Sequence, residues 1–224
     1  MVPIALPSPK LSPQSYETLV STLSRRVTLM DEIQVPLFPL HAVLFPGGPL
    51  PLRVFEPRYL DMVSDCLKRE REFGVCLIRQ GDEVGQAAST HEVGTLARVA
   101  DWNVRADGLL GITVHGQGRF QVESVDVQGN QLSVAHVRLM AEEPAAEIPQ
   151  ACRPMVDLLG RMLARFESLY GSLPTHFDDA RWVGWRLAEL LPLRLSQKQY
   201  FLQLTDPLQR LERLGEIVDG MELA

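Results

Sequence analysis

The sequence predicts an α+β protein, with a small closed or nearly closed β-barrel followed by a C-terminal helical bundle. Three observations carry that prediction. Short β-branched and apolar segments, separated by Gly or Asp/Asn clusters, fill Val35 to Met140. Apolar residues recur at three- and four-residue spacing beyond residue 149. Between them lies an acidic, proline-containing stretch, "AEEPAAEIP". The expected divisions are an N-terminal extension over 1–33, a β domain over 34–141, a linker over 142–148 and a helical bundle over 149–220.

The extension has a loop-like "PIALPSPKLSPQS" and a short helical pattern, "YETLVSTLSRR", with no evident partner. Met30 directly precedes the first strong strand signal, so either Met30 is the biological start or the preceding segment is mobile. From Val35 to Met62 runs "VPLFPLHAVLFPGGPLPLRVFEPRYLDM", an apolar stretch with prolines at 36, 39, 46, 49, 51 and 57. Leu50, Leu52 and Val54 alternate with Pro49, Pro51 and Arg53, the period of a half-buried strand. Residues two apart send their N–H groups to the same side, so the two prolines remove donors from one edge. Such a strand pairs on one side only and resists strand addition on the other.

One helix interrupts the strands. In "PRYLDMVSDCLKRE", Pro57 takes the first helical position and Tyr59, Met62, Val63 and Cys66 fall on one face. Strands are expected at Phe73 to Gln80, Val93 to Val104, Leu109 to Gly116, Arg119 to Val127 and Leu132 to Met140. "HGQGRF" reads as a hairpin turn, because a strand follows its G-x-G and the geometry that cradles phosphate needs a helix there. "QGN" at 128 to 130 reads as a second hairpin loop. In the bundle, Met155 to Tyr170 form one amphipathic helix closed by Gly171, and a second, near Asp179 to Leu191, carries Trp182 and Trp185. Ser196 to Gln199 match a capping box, and Asp206-Pro207 opens the last helix.

Composition excludes several functions. A net charge of −6 over 224 residues argues against a nucleic-acid binder that works by neutralising phosphate. No apolar run approaches a membrane span of about 18 residues. Cys66, Cys76 and Cys152 form no C-x-x-C pair, so no disulfide framework or zinc site is indicated, and a cytoplasmic protein without a cofactor is expected. His41, His91, His115, His136 and His176 show no ligand spacing, and no P-loop is present. A hydrolase built on Cys76 or Ser64 has no supporting constellation. Arg53, Glu56 and Arg58 lie around a strand-to-helix corner, as a structural ion cluster or as a ligand site.

The segments "VPLFPLHAVLFPGGPLPLRVFEPRYLDMV", "EFGVCLIRQ", "VGTLARV" and "ADGLLGITVHGQGRFQV", in that order and spacing, resemble the N-terminal, substrate-binding domain of the ATP-dependent Lon protease. The resemblance covers about Gln34 to Met140. It implies a PUA-like β pseudo-barrel followed by a helical portion, and a stand-alone module without the ATPase and Ser/Lys peptidase portions of that family. The implied role is non-enzymatic recognition of unfolded or exposed apolar polypeptide, as an adaptor or holdase-like factor in protein quality control, with a separate Lon-type protease as a partner. The candidate surface comprises Leu44, Phe45 and Pro46, with Phe55 and Tyr59 at the corner and Trp102 on a neighbouring strand. Inward packing is the competing expectation for all six, and the stronger one for each except Phe45 and Pro46, which run into a glycine turn. The alternative is a PUA-like RNA- or nucleotide-binding protein that uses Arg98, Arg105, Arg119 and Arg138 as one face.

Overall fold

Strand length and proline placement decide how the sheet closes. The computed structural model describes residues 32–222; the expected extension and the alternative start at Met30 lie outside them. Seven strands are present among the described residues: β1 Glu32–Leu40, β2 Pro49–Val54, β3 Phe73–Gln80, β4 Ser89–Thr90, β5 Val93–Val104, β6 Leu110–Val127 and β7 Ser133–Leu139. The neighbour order β1-β7-β6-β5-β3 closes through a parallel β1–β3 pairing, and the β2–β6, β3–β4, β3–β5, β5–β6 and β6–β7 pairings are antiparallel. This ring is the expected barrel. β6 is 18 residues long. β2 and β7 therefore lie end to end along one of its sides, pairing with Leu110–His115 and Phe120–Val127, while β5 takes the other.

β2 pairs with β6 alone among the described residues. The Gly116 N–H donates to the Gly48 carbonyl at 2.9 Å, which sets the parity of the ladder. Leu50, Leu52 and Val54 share that parity, so Pro49 and Pro51 occupy the outward positions where no N–H is needed. Helix α1, Pro57–Lys68, starts with proline as expected and buries Tyr59, Met62, Val63 and Cys66. These four pack with Phe38, Val54, Phe73, Ile112 and Val114 in the core under the sheet.

The G-x-G at Gly116 to Gly118 is not a turn. Thr95 pairs with Arg119 and Ala97 with Gly116, which leaves an extra residue on β6, a bulge inside one continuous strand. The cause is a loop far away in sequence. The Gly47 N–H donates to the Gly116 carbonyl at 2.8 Å, and a Cβ at Gly116 would lie 2.1 Å from the Phe45 carbonyl oxygen. Local turn chemistry suggested a hairpin there, whereas the glycines admit the backbone of the 45–48 loop.

The helical part comprises a 3-10 turn at Gln150–Cys152, then α2 Arg153–Arg165, α3 Glu167–Tyr170, α4 Ala180–Leu190, α5 Leu195–Gln203 and α6 Pro207–Glu222. The single helix expected over Met155 to Tyr170 breaks at Phe166, whose φ of −115° and ψ of 30° leave the helical region. Asp179 caps α4 by accepting from the Arg181 N–H at 2.9 Å. The capping box at Ser196 is displaced by two residues. Arg194 precedes α5, and its N–H donates to Gln197 Oε1 at 3.0 Å. Asp206 accepts from the Leu208 N–H at 2.9 Å ahead of α6, as expected.

Barrel and helices share one core. Phe45 and Val93 pack with Leu159, Val183, Trp185, Leu187, Phe201, Leu211 and Leu214. Glu143, in the acidic stretch expected to be a linker, is 6% exposed. Its carboxylate forms an ion pair with Arg119 of β6 at 2.7 Å and accepts from Arg210 Nη1 of α6 at 2.8 Å. Arg119 also donates to the Leu202 and Leu204 carbonyls, both at 2.7 Å, and Arg210 stacks 3.3 Å over the Trp185 ring. Burial pushes both guanidinium pKa values down, and Glu143 opposes the shift.

Glu143→Gln leaves two buried arginines without their anion. Urea denaturation should show a loss of about 3 kcal/mol or more, while Glu142→Gln, at a side chain 87% exposed, should change stability by less than about 0.5 kcal/mol. Gly116→Ala should cost about 1–3 kcal/mol by overpacking, whereas Gly118→Ala, where a Cβ meets nothing within 4 Å, should be close to neutral.

Candidate polypeptide-recognition face

Cross-strand register places nine apolar residues on one face of β2, β6 and β5. The rows are Leu50–Val114–Val99, Leu52–Ile112–Trp102 and Val54–Leu110–Val104. The opposite face carries Pro49–His115–Arg98, Pro51–Thr113–Asp101 and Arg53–Gly111–Asn103. This is the alternation of a sheet with one buried side. Cover over the apolar side is incomplete. Val54, Ile112 and Val114 are buried against α1, but Trp102 is 59% and Val104 71% exposed. The face thus runs from closed core at β2 to open surface at β5. Phe55, at the end of β2, is 50% exposed.

The residues proposed from sequence divide accordingly. Phe55 and Trp102 are at the surface, and Pro46 is half-buried. Leu44 and Tyr59 are core; the Tyr59 ring stacks on Phe38 at 4.2 Å between centroids. Phe45 overturns the expectation of an exposed anchor, because it is fully buried with its ring 5.7 Å from that of Trp185. Its loop is riveted from both sides: Thr95 Oγ1 donates to the Leu44 carbonyl at 2.6 Å, and Arg186 Nη2 donates to the Pro46 carbonyl at 2.7 Å. Val104 and Leu110 were missed as candidates. Their signal was the alternation Trp102, Val104 before the "RADG" turn and Leu110, Ile112 after it.

The corner charges do not form one cluster. Glu56 and Arg58 pair at 2.9 Å, and Arg58 also donates to the Gln131 carbonyl at 2.8 Å, which ties α1 to the β6–β7 loop. Arg53 turns away to Asp107 at 3.0 Å, across the tip of the β5–β6 hairpin. Asp107, an acceptor from the Leu109 N–H and neighbour of Arg53 and Arg105, has its pKa held below the usual carboxylate value. The arginine face needed for RNA is absent too. Arg98 pairs with Glu72, Arg105 with Asp107 and Arg138 with Glu123, and Arg119 is buried on Glu143.

On the helical side, Leu163, Leu173, Pro174, Phe177 and Trp182 line a cavity of about 320 Å³. It meets a second, of about 440 Å³, at Gly47 and Trp182. Trp185, in contrast, is core. Arg186 lies 3.2 Å from Glu189, misaligned for a hydrogen bond, and burial raises the Glu189 pKa against the pull of that arginine. No group of His, Cys, Asp or Glu suited to a metal is present among the described residues.

The thiols have no nucleophilic setting. Burial pushes the Cys76 pKa up to about 12 and also raises those of Cys66 and Cys152. In native protein at mildly alkaline pH, the half-buried Cys152 should react first with a disulfide reagent, and Cys76 only on unfolding. Fast labelling of Cys76 in folded protein would contradict this placement.

Residues 34–220 match the family model described as the ATP-dependent protease La (LON) substrate-binding domain. The crystal structure of a Lon N-terminal domain protein from Xanthomonas campestris is 41% identical, with a TM-score of 0.68, over 81% of this chain and 96% of that one. The N-terminal domain of Mycobacterium avium complex Lon protease, at 16% identity and a TM-score of 0.56 over 81% and 96% of the two chains, shares the fold. The Lon protease of Anaeromyxobacter dehalogenans is 25% identical over 199 residues, which are 83% of this chain and 23% of that protein. The chain thus spans about a quarter of the length of the curated relatives it matches.

Proposed function

We propose a polypeptide-recognition role for this chain, which belongs to the family of Lon substrate-binding domains. The observation that carries the reading is the apolar sheet face left uncovered at β5, where Trp102 and Val104 stand exposed beside half-buried Leu52, Leu110 and Val99. Large apolar groups at the surface gain free energy when a partner's apolar side chains remove them from water, at about 25 cal/mol per Å². A folded protein has few such groups to offer. An unfolded one has many, so the face favours non-native chains. The module acts without chemistry of its own, as a holdase-like factor or as an adaptor that presents clients to a separate Lon-type protease. The matched region corresponds to the substrate-binding domain and not to an ATPase or peptidase.

Fluorescence anisotropy tests this with a labelled disulfide protein, folded when oxidised and unfolded when reduced and alkylated. Preference for the unfolded form, unaffected by RNA competitor and by high salt, is expected. The double substitution Trp102→Ser with Val104→Ser should weaken binding about 10- to 100-fold, equivalent to roughly 1.5–3 kcal/mol, with the urea midpoint unchanged. Equal binding by wild type and double variant would refute the assignment of this face.

A further inference from the structure

We infer that the polypeptide binds by strand addition, in extended form, along the free edge of β5 from Arg98 to Val104. The inference rests on the recognition role proposed above and specifies its geometry. β3 pairs with β5 only at Thr95 to Ala97, so beyond Ala97 the strand has β6 on one side and no partner on the other among the described residues. The Arg105 N–H donates across the hairpin to the Leu109 carbonyl at 2.9 Å. Asn103 therefore faces β6, and Trp102 and Val104 turn their N–H and C=O groups outward. A row of backbone donors and acceptors at strand spacing is matched by one kind of occupant, another extended chain.

The two edges of this three-stranded arm are treated differently. The β2 edge carries Pro49 and Pro51 at its outward positions and has few donors to offer. The β5 edge has no proline from Arg98 to Val104. It carries one removable guard: the Trp102 N–H is held by its neighbour's carboxylate, Asp101 Oδ1, at 2.8 Å. An exposed acidic side chain on an edge discourages pairing between copies of the protein, yet it can swing into water when a client strand arrives. A strand added here continues the apolar face by one column. Its alternate side chains lie beside Trp102 and Val104, and the intervening ones face solvent. The client class is thus an extended segment with apolar residues at every second position.

The test is an N-methyl scan of a labelled peptide alternating valine and serine, with lysine at each end, bound to the intact protein. Methylating the amides of one alternation should weaken binding about tenfold or more, and methylating those of the other should have little effect. On the protein side, Val104→Pro, which deletes an outward N–H tolerated at an edge, should bind more weakly than Val104→Ala. If every methylated peptide binds like the parent, strand addition is wrong while apolar recognition stands. Failure of the unmodified peptide and of unfolded protein to bind would remove both.

Discussion

Two arginines on one buried carboxylate hold this molecule together. Glu143 pairs with Arg119 of the barrel and takes hydrogen bonds from Arg210 of the last helix, and Arg210 in turn covers the face of Trp185. Ions withdrawn from water to this extent are favourable only when their geometry and remaining hydrogen bonds are complete. Here the Leu202 and Leu204 carbonyls complete the set around Arg119. The consequence is a fixed register between strands and helices. Apolar contact alone tolerates sliding, but a carboxylate shared between two guanidiniums does not.

That register sets the site. With the 44–48 loop clamped between Gly116 and Arg186, β6 bulges and carries on as one strand past the barrel. Its first half then projects with β5 and β2 as an arm whose apolar face exceeds what α1 can cover. Exposed apolar surface on a folded protein invites aggregation. The prolines of β2 and the carboxylate of Asp101 limit the ways in which the arm can pair. The proposed recognition face and its safeguards thus lie on the same three strands.

Much of the barrel was legible from local chemistry. Counting N–H groups at Pro49 and Pro51 identified an edge strand, and the spacing of Tyr59, Met62, Val63 and Cys66 identified α1 and its buried face. Where sequence reasoning failed, a distant partner decided. Gly116 to Gly118 looked like a turn until the Phe45 carbonyl occupied the space that glycine leaves. Phe45 looked exposed because nothing nearby announces Arg186, 140 residues from Pro46, as its loop's anchor. Glu143 sat in an acidic stretch that reads as a linker, and its partner Arg210 lies 67 residues away. Of the candidate face, Trp102 and Phe55 were singled out by residue type and are exposed, whereas Val104 and Leu110 emerge only once register puts them in rows.

The central claim is that clients bind the β2–β6–β5 arm. Backbone amide shifts recorded by NMR during titration with reduced, alkylated polypeptide test it most directly. The account predicts perturbations concentrated at Leu50 to Phe55 and Val99 to Ile112. Perturbations centred instead on Trp182 and the cavity beside it, or none at saturating polypeptide, would contradict it.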